Sequence, residues 1–416
     1  MNIKSLLLGS AAAMVAVSGA QAADAVVVEP EPVEYVRVCD AYGSGFFYIP
    51  GTETCIRFSG FIRSSYEKTS VDITGGDTAA VTASAGPDGL DGTADDVAAA
   101  AQAPATPVST EQNFVFWGNR ARLNVDTRNE TDWGTLRGLF RLEGGDSNSD
   151  ADIDMDIALI SLAGFRAGFT GANYWTRAFA GVNLTGLGSS GFTGAEDDGW
   201  YGFNDGVIFD YTWAADGFSV TVGVEDPRID WSGIGSGPSN AGTSDSRANF
   251  YAGFDYSADF GSIGFTAVHD SHAVEGGSGD IGGWAYKVSA TLDLSDFIPG
   301  GVLHGMYMAD GDYRTNYVIT YGAIADPESV WQVAFQADLS DEVQLVAQYS
   351  HAEGDNRGEG DAQSASVGLN WFPAAAPGFS LRASYTRVEG DNVNAFGRLG
   401  TDYEADSFFV GVRRDF

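Results

Sequence analysis

Segments of about ten residues in which every second side chain is apolar are the feature that most restricts the fold of this 416-residue chain. In one of them Trp284, Tyr286 and Val288 would share one face of an extended chain, and Lys287 and Ser289 would share the other. A side-chain period of two is the period of a β-strand with one apolar face. The chain is therefore predicted to be an all-β protein.

Sixteen candidate strands show this alternation. They span residues 55–66, 113–127, 133–144, 152–163, 165–175, 206–214, 217–226, 247–257, 261–270, 283–294, 301–309, 329–339, 341–351, 363–372, 378–388 and 406–416. Segment 315–322 could form a further strand, and we assign it to a loop.

The connections between these strands alternate between short and long. Short ones such as RNETD and AADG separate long ones, which cover about 67–112, 145–151, 176–205, 227–246, 271–282, 310–328, 352–362 and 389–405. In an antiparallel series this order places all long loops at one end, and an even number of strands places both termini at the other end. The pattern predicts a sixteen-stranded antiparallel transmembrane β-barrel over residues 55–416, with short periplasmic turns and long outer loops.

A soluble all-β protein, such as a sandwich, would show the same alternation with its apolar face turned inward. It would need a very large sandwich, and it would leave the loop-length alternation without a cause. A bilayer requires that every backbone polar group be paired, and closing the sheet removes the unpaired edges. The membrane barrel is therefore favoured.

The amino-terminal segment predicts export. Residues 1–22 combine one basic residue, a short apolar core and small residues at the end, as signal peptides do. Residues 23–54 then form a periplasmic leader that we expect to lie outside the barrel wall.

The chain has only two cysteines, Cys39 and Cys55, with no histidine nearby, so a zinc site is disfavoured. An oxidising compartment favours a disulfide.

Composition and motifs exclude several other functions. The formal net charge of −35 and the absence of a basic patch argue against a nucleic-acid partner. His269 and His272 have no recognisable nucleophile motif around them, so we expect no catalytic residues. Residues 88–96, DGLDGTADD, space carboxylates among glycines but lack the closing glutamate of a calcium loop. We expect no cofactor and no metal centre, apart from loosely bound Ca²⁺ in the outer loops.

Arginine is concentrated on the inward faces of the first strands. With the apolar side turned to lipid, seven arginines face inward: Arg57, Arg63, Arg120, Arg122, Arg137, Arg141 and Arg166. So many like charges would be prohibitive in a dry core, whereas a water-filled lumen tolerates them and acquires their field. The pattern predicts a channel with a basic wall.

The chain ends in SFFVGVRRDF, so that Phe408, Val410, Val412 and Phe416 share one face. This looks like the carboxy-terminal strand signal of outer-membrane proteins, whose final aromatic residue is recognised by the barrel assembly machinery. Arg414 departs from that pattern, but at a barrel rim its guanidinium can reach the lipid headgroups.

Residues 33–63, together with the signal sequence and the last strand, resemble the general porins of alphaproteobacteria. The resemblance implies a homotrimeric outer-membrane porin that passes small hydrophilic solutes, and it supports a disulfide between Cys39 and Cys55. The loop 67–112 is unusually long and acidic for that family.

The third long connection, 176–205, ends in the acids Glu196, Asp197 and Asp198. In classical sixteen-stranded porins the third loop folds into the barrel and places acids opposite arginines. We therefore expect these acids to form the constriction, although an ordinary surface loop would carry a similar sequence.

These features together predict an outer-membrane porin for passive diffusion of small hydrophilic solutes and ions. Two alternatives stay open. A substrate-specific sugar or anion channel would need an aromatic row in the lumen, for which Tyr174 and Trp175 are the only hint. An adhesin would use its loops to bind partners. Lipid and lipopolysaccharide, the latter with divalent cations shared by the acidic loops, are the expected surroundings.

Overall fold

The computed structural model describes residues 37–75, 110–147, 151–170, 206–227, 248–271, 283–311, 328–354, 360–395 and 398–416. They form a closed antiparallel barrel of sixteen strands, β2 to β17, and one short additional strand, β1. The strands are β1 Phe47–Tyr48, β2 Cys55–Gly75, β3 Thr110–Thr131, β4 Gly134–Ser147, β5 Ala151–Leu162, β6 Phe165–Thr170, β7 Gly206–Ala215, β8 Phe218–Pro227, β9 Asn249–Ala258, β10 Gly261–Asp270, β11 Gly283–Asp293, β12 Val302–Asp310, β13 Ser329–Ser340, β14 Val343–Glu353, β15 Ala362–Trp371, β16 Phe379–Ala395 and β17 Arg398–Asp415.

The barrel closes by pairing its last strand with its first. Each strand from β2 onward pairs with the next along the chain, and β17 pairs with β2, with Arg413 opposite Arg63. The backbone of Phe416 completes this seam through two hydrogen bonds with Gly60, of 2.9 and 3.0 Å. The predicted sixteen-stranded barrel is thus confirmed. Among the described residues no helix has the length and apolar character needed to cross a membrane.

The short turns have the backbone that tight hairpins require. Ala163–Gly164 and Asp216–Gly217 each place two successive residues at positive φ, at 51° and 90° in the first turn and 51° and 82° in the second. Two-residue loops of this kind match the right-handed twist of the flanking strands.

The two faces of the wall differ as the alternation predicts. On β11 the side chains of Trp284, Tyr286 and Val288 are exposed on the outside, and Lys287 and Ser289 are buried on the inside. The exposed side chains are those that meet lipid in a membrane, so the outer surface is apolar and the inner surface largely polar.

One side of the barrel, formed by β2, β3, β16 and β17, is taller than the sequence predicts, and we call it the tall wall. Strands β2 and β3 contain 21 and 22 residues, about twice the length that crosses a bilayer. The predicted loops 67–112 and 389–405 were therefore too long, because residues 67–75 and 389–395 continue the strands. Polar side chains such as Lys68 and Asp72 face outward there, so the apolar alternation stops before the strand does.

The leader contributes to the sheet, contrary to the prediction that it lies wholly outside the wall. Strand β1 pairs with the first residues of β2, with Phe47 opposite Ile56 and Tyr48 opposite Cys55. β17 pairs with β2 only from Phe61 onward, and β1 pairs with the preceding residues on the same edge of β2. The predicted Cys39–Cys55 disulfide is confirmed and connects the leader to β2.

A layer of apolar side chains lies on the inner face near the ends that lead to the long connections. Its members are fully or almost fully buried: Val71, Ile73, Tyr251, Val268, Ala285, Met306, Met308, Val330, Ala352, Ala362, Val388 and Ala405. Among the side chains that the structure describes, these buried members belong to β2 and to β9–β17, and Phe114 of β3, itself only partly buried, packs against them. Water therefore does not reach the inner wall at this level on that side of the barrel.

Candidate functional site

The seven arginines that were predicted to face inward lie on strands β2 to β6. Around them lie four carboxylates on the same wall, namely Asp126, Glu143, Asp156 and Asp210. The wall is therefore a set of ion-paired clusters and not a row of separate positive charges.

The cluster nearest the periplasmic end is built around Asp126 on β3. Arg128 and Arg137 each donate two hydrogen bonds to its carboxylate, at 2.9 to 3.1 Å. Arg57 approaches it from β2, with 3.7 Å between Nη2 and Oδ2. The carboxylate is 2% exposed, whereas the three arginines retain contact with water. One buried acid thus holds three guanidinium groups that are each open to the lumen.

Replacing Asp126 by Asn should destabilise the folded barrel by about 2 kcal/mol. Breaking one side of a buried ion pair costs roughly 3–5 kcal/mol, and the water that reaches the arginines reduces that cost here. The midpoint of guanidinium-induced unfolding in lipid vesicles measures the change. Asp415→Asn is the matched control, because Asp415 also pairs with an arginine, Arg413 at 2.6 Å, but is itself 45% exposed. Equal effects of the two substitutions would contradict the assignment.

A second cluster lies farther into the barrel, around Glu143 on β4. Arg120 and Arg122 both form ion pairs with this carboxylate, and all three side chains are partly buried. Beside them Arg141 donates to Asn124 Oδ1 at 2.8 Å and to Asp156 Oδ2 at 3.0 Å. Two acids therefore balance three arginines, and each of these arginines retains about a quarter of its surface.

Arginines from both sides of the barrel seam meet next to this cluster. Arg63 lies between Arg413 on β17 and Arg120 on β3, since both are its partners in strand register. The buried ring of Phe61 lies beneath two guanidinium groups, 4.0 Å from that of Arg413 and 5.0 Å from that of Arg122. An aromatic face in this position stabilises adjacent cations.

Arg166 lies apart from the other arginines in a buried network. Its Nε donates to Asp210 Oδ1 at 2.8 Å, and Tyr251 donates to Asp210 Oδ2 at 2.6 Å. Asp210 and Tyr251 are almost fully buried. The geometry gives Arg166 a structural partner in the wall, so little of its charge is presented to the lumen.

The alternation identified seven of the inward arginines, whereas Arg128, Arg413 and the acidic partners were not predicted. Asp126 and Glu143 follow the same alternation as the arginines, so the pattern could have identified them. Asp156 could not have been placed in this way, because the register of β4 and β5 shifts by one residue next to it, between Arg141 and Leu142.

Other predicted site residues are either outside the described part or on the outer face. Glu196, Asp197 and Asp198 lie outside the described residues, as do Tyr174 and Trp175 and the acidic segment 88–96. In the last strand, the side chains of Phe408, Val412 and Phe416 are exposed on the outside, and Val410 is partly exposed. Their role as an assembly signal stays a prediction.

Two groups at the periplasmic end have perturbed pKa values. Partial burial, and then the nearby Glu130 carboxylate, raises the pKa of Tyr42 in the leader. The pKa of Glu342, in the turn between β13 and β14, is lowered by hydrogen bonds from the Ala374 backbone at 2.9 Å and from Trp371 Nε1 at 3.1 Å. Glu342 thereby connects two neighbouring turns while it is ionised.

Within the described ranges no three His, Cys, Asp or Glu side chains are grouped so that they could hold a metal ion. The charged side chains on the inner wall are instead paired with one another, and several remain open to water. Such an arrangement can orient and attract charged solutes as they pass.

A closed barrel with an apolar exterior and ion-paired arginines inside defines an outer-membrane channel. Residues 24–408 match a family model described as a porin subfamily, and the chain belongs to that family. It is accordingly a porin of the outer membrane, a channel for passive diffusion.

Relatives and solved structures agree with this assignment. The chain is 32% identical over 419 residues to porin Omp2b of Brucella canis, with 94% of each chain covered. It is 34% identical over 342 residues to porin Omp2b of Brucella neotomae, covering 76% of this chain and 77% of the relative. The fold is similar to that of the outer membrane channel DcaP of Acinetobacter baumannii, with a TM-score of 0.57, 13% identity and coverage of 89% and 99%.

Proposed function

We propose that this porin is a general diffusion channel in which small hydrophilic solutes pass along the wall formed by β3–β5. The observation that supports this most directly is the difference in exposure between the two sides of the inner face. Arg122 and Arg141 are each 24% exposed, whereas Lys287 and Gln332 on the opposite side are fully or almost fully buried. Solutes can contact only the side chains that water reaches.

On this proposal, size exclusion and the field of the paired arginines determine which solutes pass. The acids Glu196, Asp197 and Asp198 would face the arginines from the third long connection and produce a field across the lumen, which orients polar solutes and disfavours apolar ones. No catalytic step and no cofactor belongs to this function. Ca²⁺ bound by the outer loops would be an accessory.

We also propose a homotrimer, surrounded by lipid and lipopolysaccharide and inserted by the barrel assembly machinery. A polar patch on the outside of the tall wall supports a neighbour other than lipid tails. There Arg387 pairs with Glu389 at 2.5 Å, Glu404 at 2.9 Å and Asp406 at 3.3 Å. Charges on the lipid face are costly at the membrane midplane and tolerated near its surface, so the patch fits a headgroup or protein contact.

The purified protein should form ohmic channels in planar bilayers bathed in KCl, and a trimer should close in three equal steps. Addition of sugars at millimolar concentration should leave the current unchanged if the channel is general. Saturable block by one sugar would instead favour a substrate-specific channel. Protein that is folded and inserted but does not conduct would exclude both channel types and favour the adhesin.

A further inference from the structure

The leader reaches into the periplasmic end of the lumen through Phe46. This side chain is 1% exposed, and the guanidinium groups of Arg57 and Arg128 lie over its ring, at 4.7 and 4.9 Å from the ring centre. The ring of Tyr42 lies 5.7 Å from the same group of Arg128. Two of the three arginines around Asp126 are thus stacked on the leader, and cation–π contacts of this kind stabilise the position of an arginine.

The disulfide holds Phe46 in this position. The backbone N–H of Cys39 donates to the carbonyl of Phe46 at 2.9 Å, and Cys55 is the register partner of Arg128. Cys39, Phe46 and Cys55 form one small buried cluster. Since Cys39 and Cys55 lie on either side of the β1 segment, their bond keeps the ring next to the arginines.

The cluster carries an excess of positive charge that faces water. Three guanidinium groups surround one carboxylate, which leaves two positive charges unbalanced within the cluster. The side chains of Arg57 and Arg137 are 37% and 36% exposed. Arg57 is the least engaged: its Nε has no hydrogen-bond partner in the described part of the chain, and its distance to Asp126 is 3.7 Å.

We propose that the leader and this cluster together form an anion-binding subsite at the periplasmic mouth of the channel, with Phe46 as the residue that positions the arginines. The subsite would accept small anions with two or more oxygens on one atom, such as phosphates and carboxylates. Guanidinium groups bind such anions through paired hydrogen bonds. The proposal deepens the channel function, on which it rests.

Inorganic phosphate, added to one side of a bilayer in KCl, is the probe. We expect phosphate to reduce the current of the wild-type channel when added from the periplasmic side. Arg57→Gln should weaken this block about tenfold, because it removes a charged donor. Phe46→Ala should weaken it about threefold, because the arginines lose the ring that orders them. Phe47→Ala is the matched control, since Phe47 is the next residue along the chain but contacts Phe58 on the outer face.

Reduction of the disulfide tests whether the leader contributes to anion binding. Because it acts on a channel that is already folded and inserted, a folding defect cannot explain its effect. A membrane-impermeant reductant on the periplasmic side should weaken the phosphate block of the wild type to the level of Phe46→Ala. It should not affect Cys39→Ser/Cys55→Ser, which should show the weakened block from the start.

Three results would overturn the proposal, and each is distinct from a failure of the channel itself. If phosphate does not block a conducting wild-type channel, no anion subsite exists. If Arg57→Gln leaves the block unchanged, the cluster is not the site. If reduction and Phe46→Ala have no effect while Arg57→Gln does, the site exists but the leader is not part of it. A wild type that does not conduct would refute the channel function instead.

Discussion

Replacing Gly60 by alanine should prevent most of the chain from reaching the closed barrel. Gly60 lies at the seam, where its N–H and C=O both pair with the backbone of Phe416. A methyl group at this position would run into the carbonyl of Arg122 on β3 and would lie 3.1 Å from the ring of Phe416. The backbone of β3 on one side and Phe416 on the other leave no room for the methyl group. We therefore expect the substitution to lower the free energy of unfolding by about 3 kcal/mol.

The folded fraction can be measured by refolding into lipid vesicles, since a closed barrel resists sodium dodecyl sulfate until it is heated. Gly305→Ala is the matched control: it is also a strand glycine, but its nearest neighbour, the carbonyl of Gln332, would lie 4.0 Å from the new methyl group. We expect Gly305→Ala to fold as the wild type does. Efficient folding of Gly60→Ala would show that the seam can shift, and that closure does not depend on this close approach.

The barrel itself was predictable from the sequence because lipid imposes a simple rule. Every second residue must be apolar wherever a strand crosses the hydrocarbon, so alternation revealed the strands and their order. The same rule explains why the tall wall was missed. Above the hydrocarbon the outward positions are free to be polar, as at Lys68 and Arg387, and the strand continues without the pattern.

The inward direction of the arginines was also predictable, but their partners depend on contacts between strands. Asp126 receives Arg137 from β4 and Arg57 from β2, and alternation alone gives neither register. The shift next to Asp156 and the inward stacking of Phe46 depend on local backbone geometry that no periodic pattern encodes. The disulfide could be predicted from compartment and cysteine count, whereas its place beside the lumen could not.

Replacing both Arg120 and Arg122 by glutamine should shift the channel towards cations. The two arginines share Glu143, so their removal changes the local charge from +1 to −1. A unit charge about 7 Å from a permeating ion contributes roughly 0.6 kcal/mol in water and about half of that at 0.1 M salt. Losing two such charges disfavours an anion and favours a cation by about 0.6 kcal/mol each, so the anion-to-cation permeability ratio should fall about tenfold. The reversal potential in a KCl gradient measures this ratio.

Salt dependence separates this electrostatic effect from a change in pore shape. The Debye length falls from about 10 Å at 0.1 M to about 3 Å at 1 M, so the shift should be large in dilute KCl and small in concentrated KCl. Arg387→Gln is the matched control, because it removes an ion-paired arginine from the outer face of the wall. If the double substitution alters conductance equally at all salt concentrations, or if Arg387→Gln shifts the reversal potential as much, the arginines of β3 do not determine which ions pass. A shift confined to the double variant and to dilute salt requires that ions pass within a Debye length of Glu143, which places the conducting path along the β3–β5 wall.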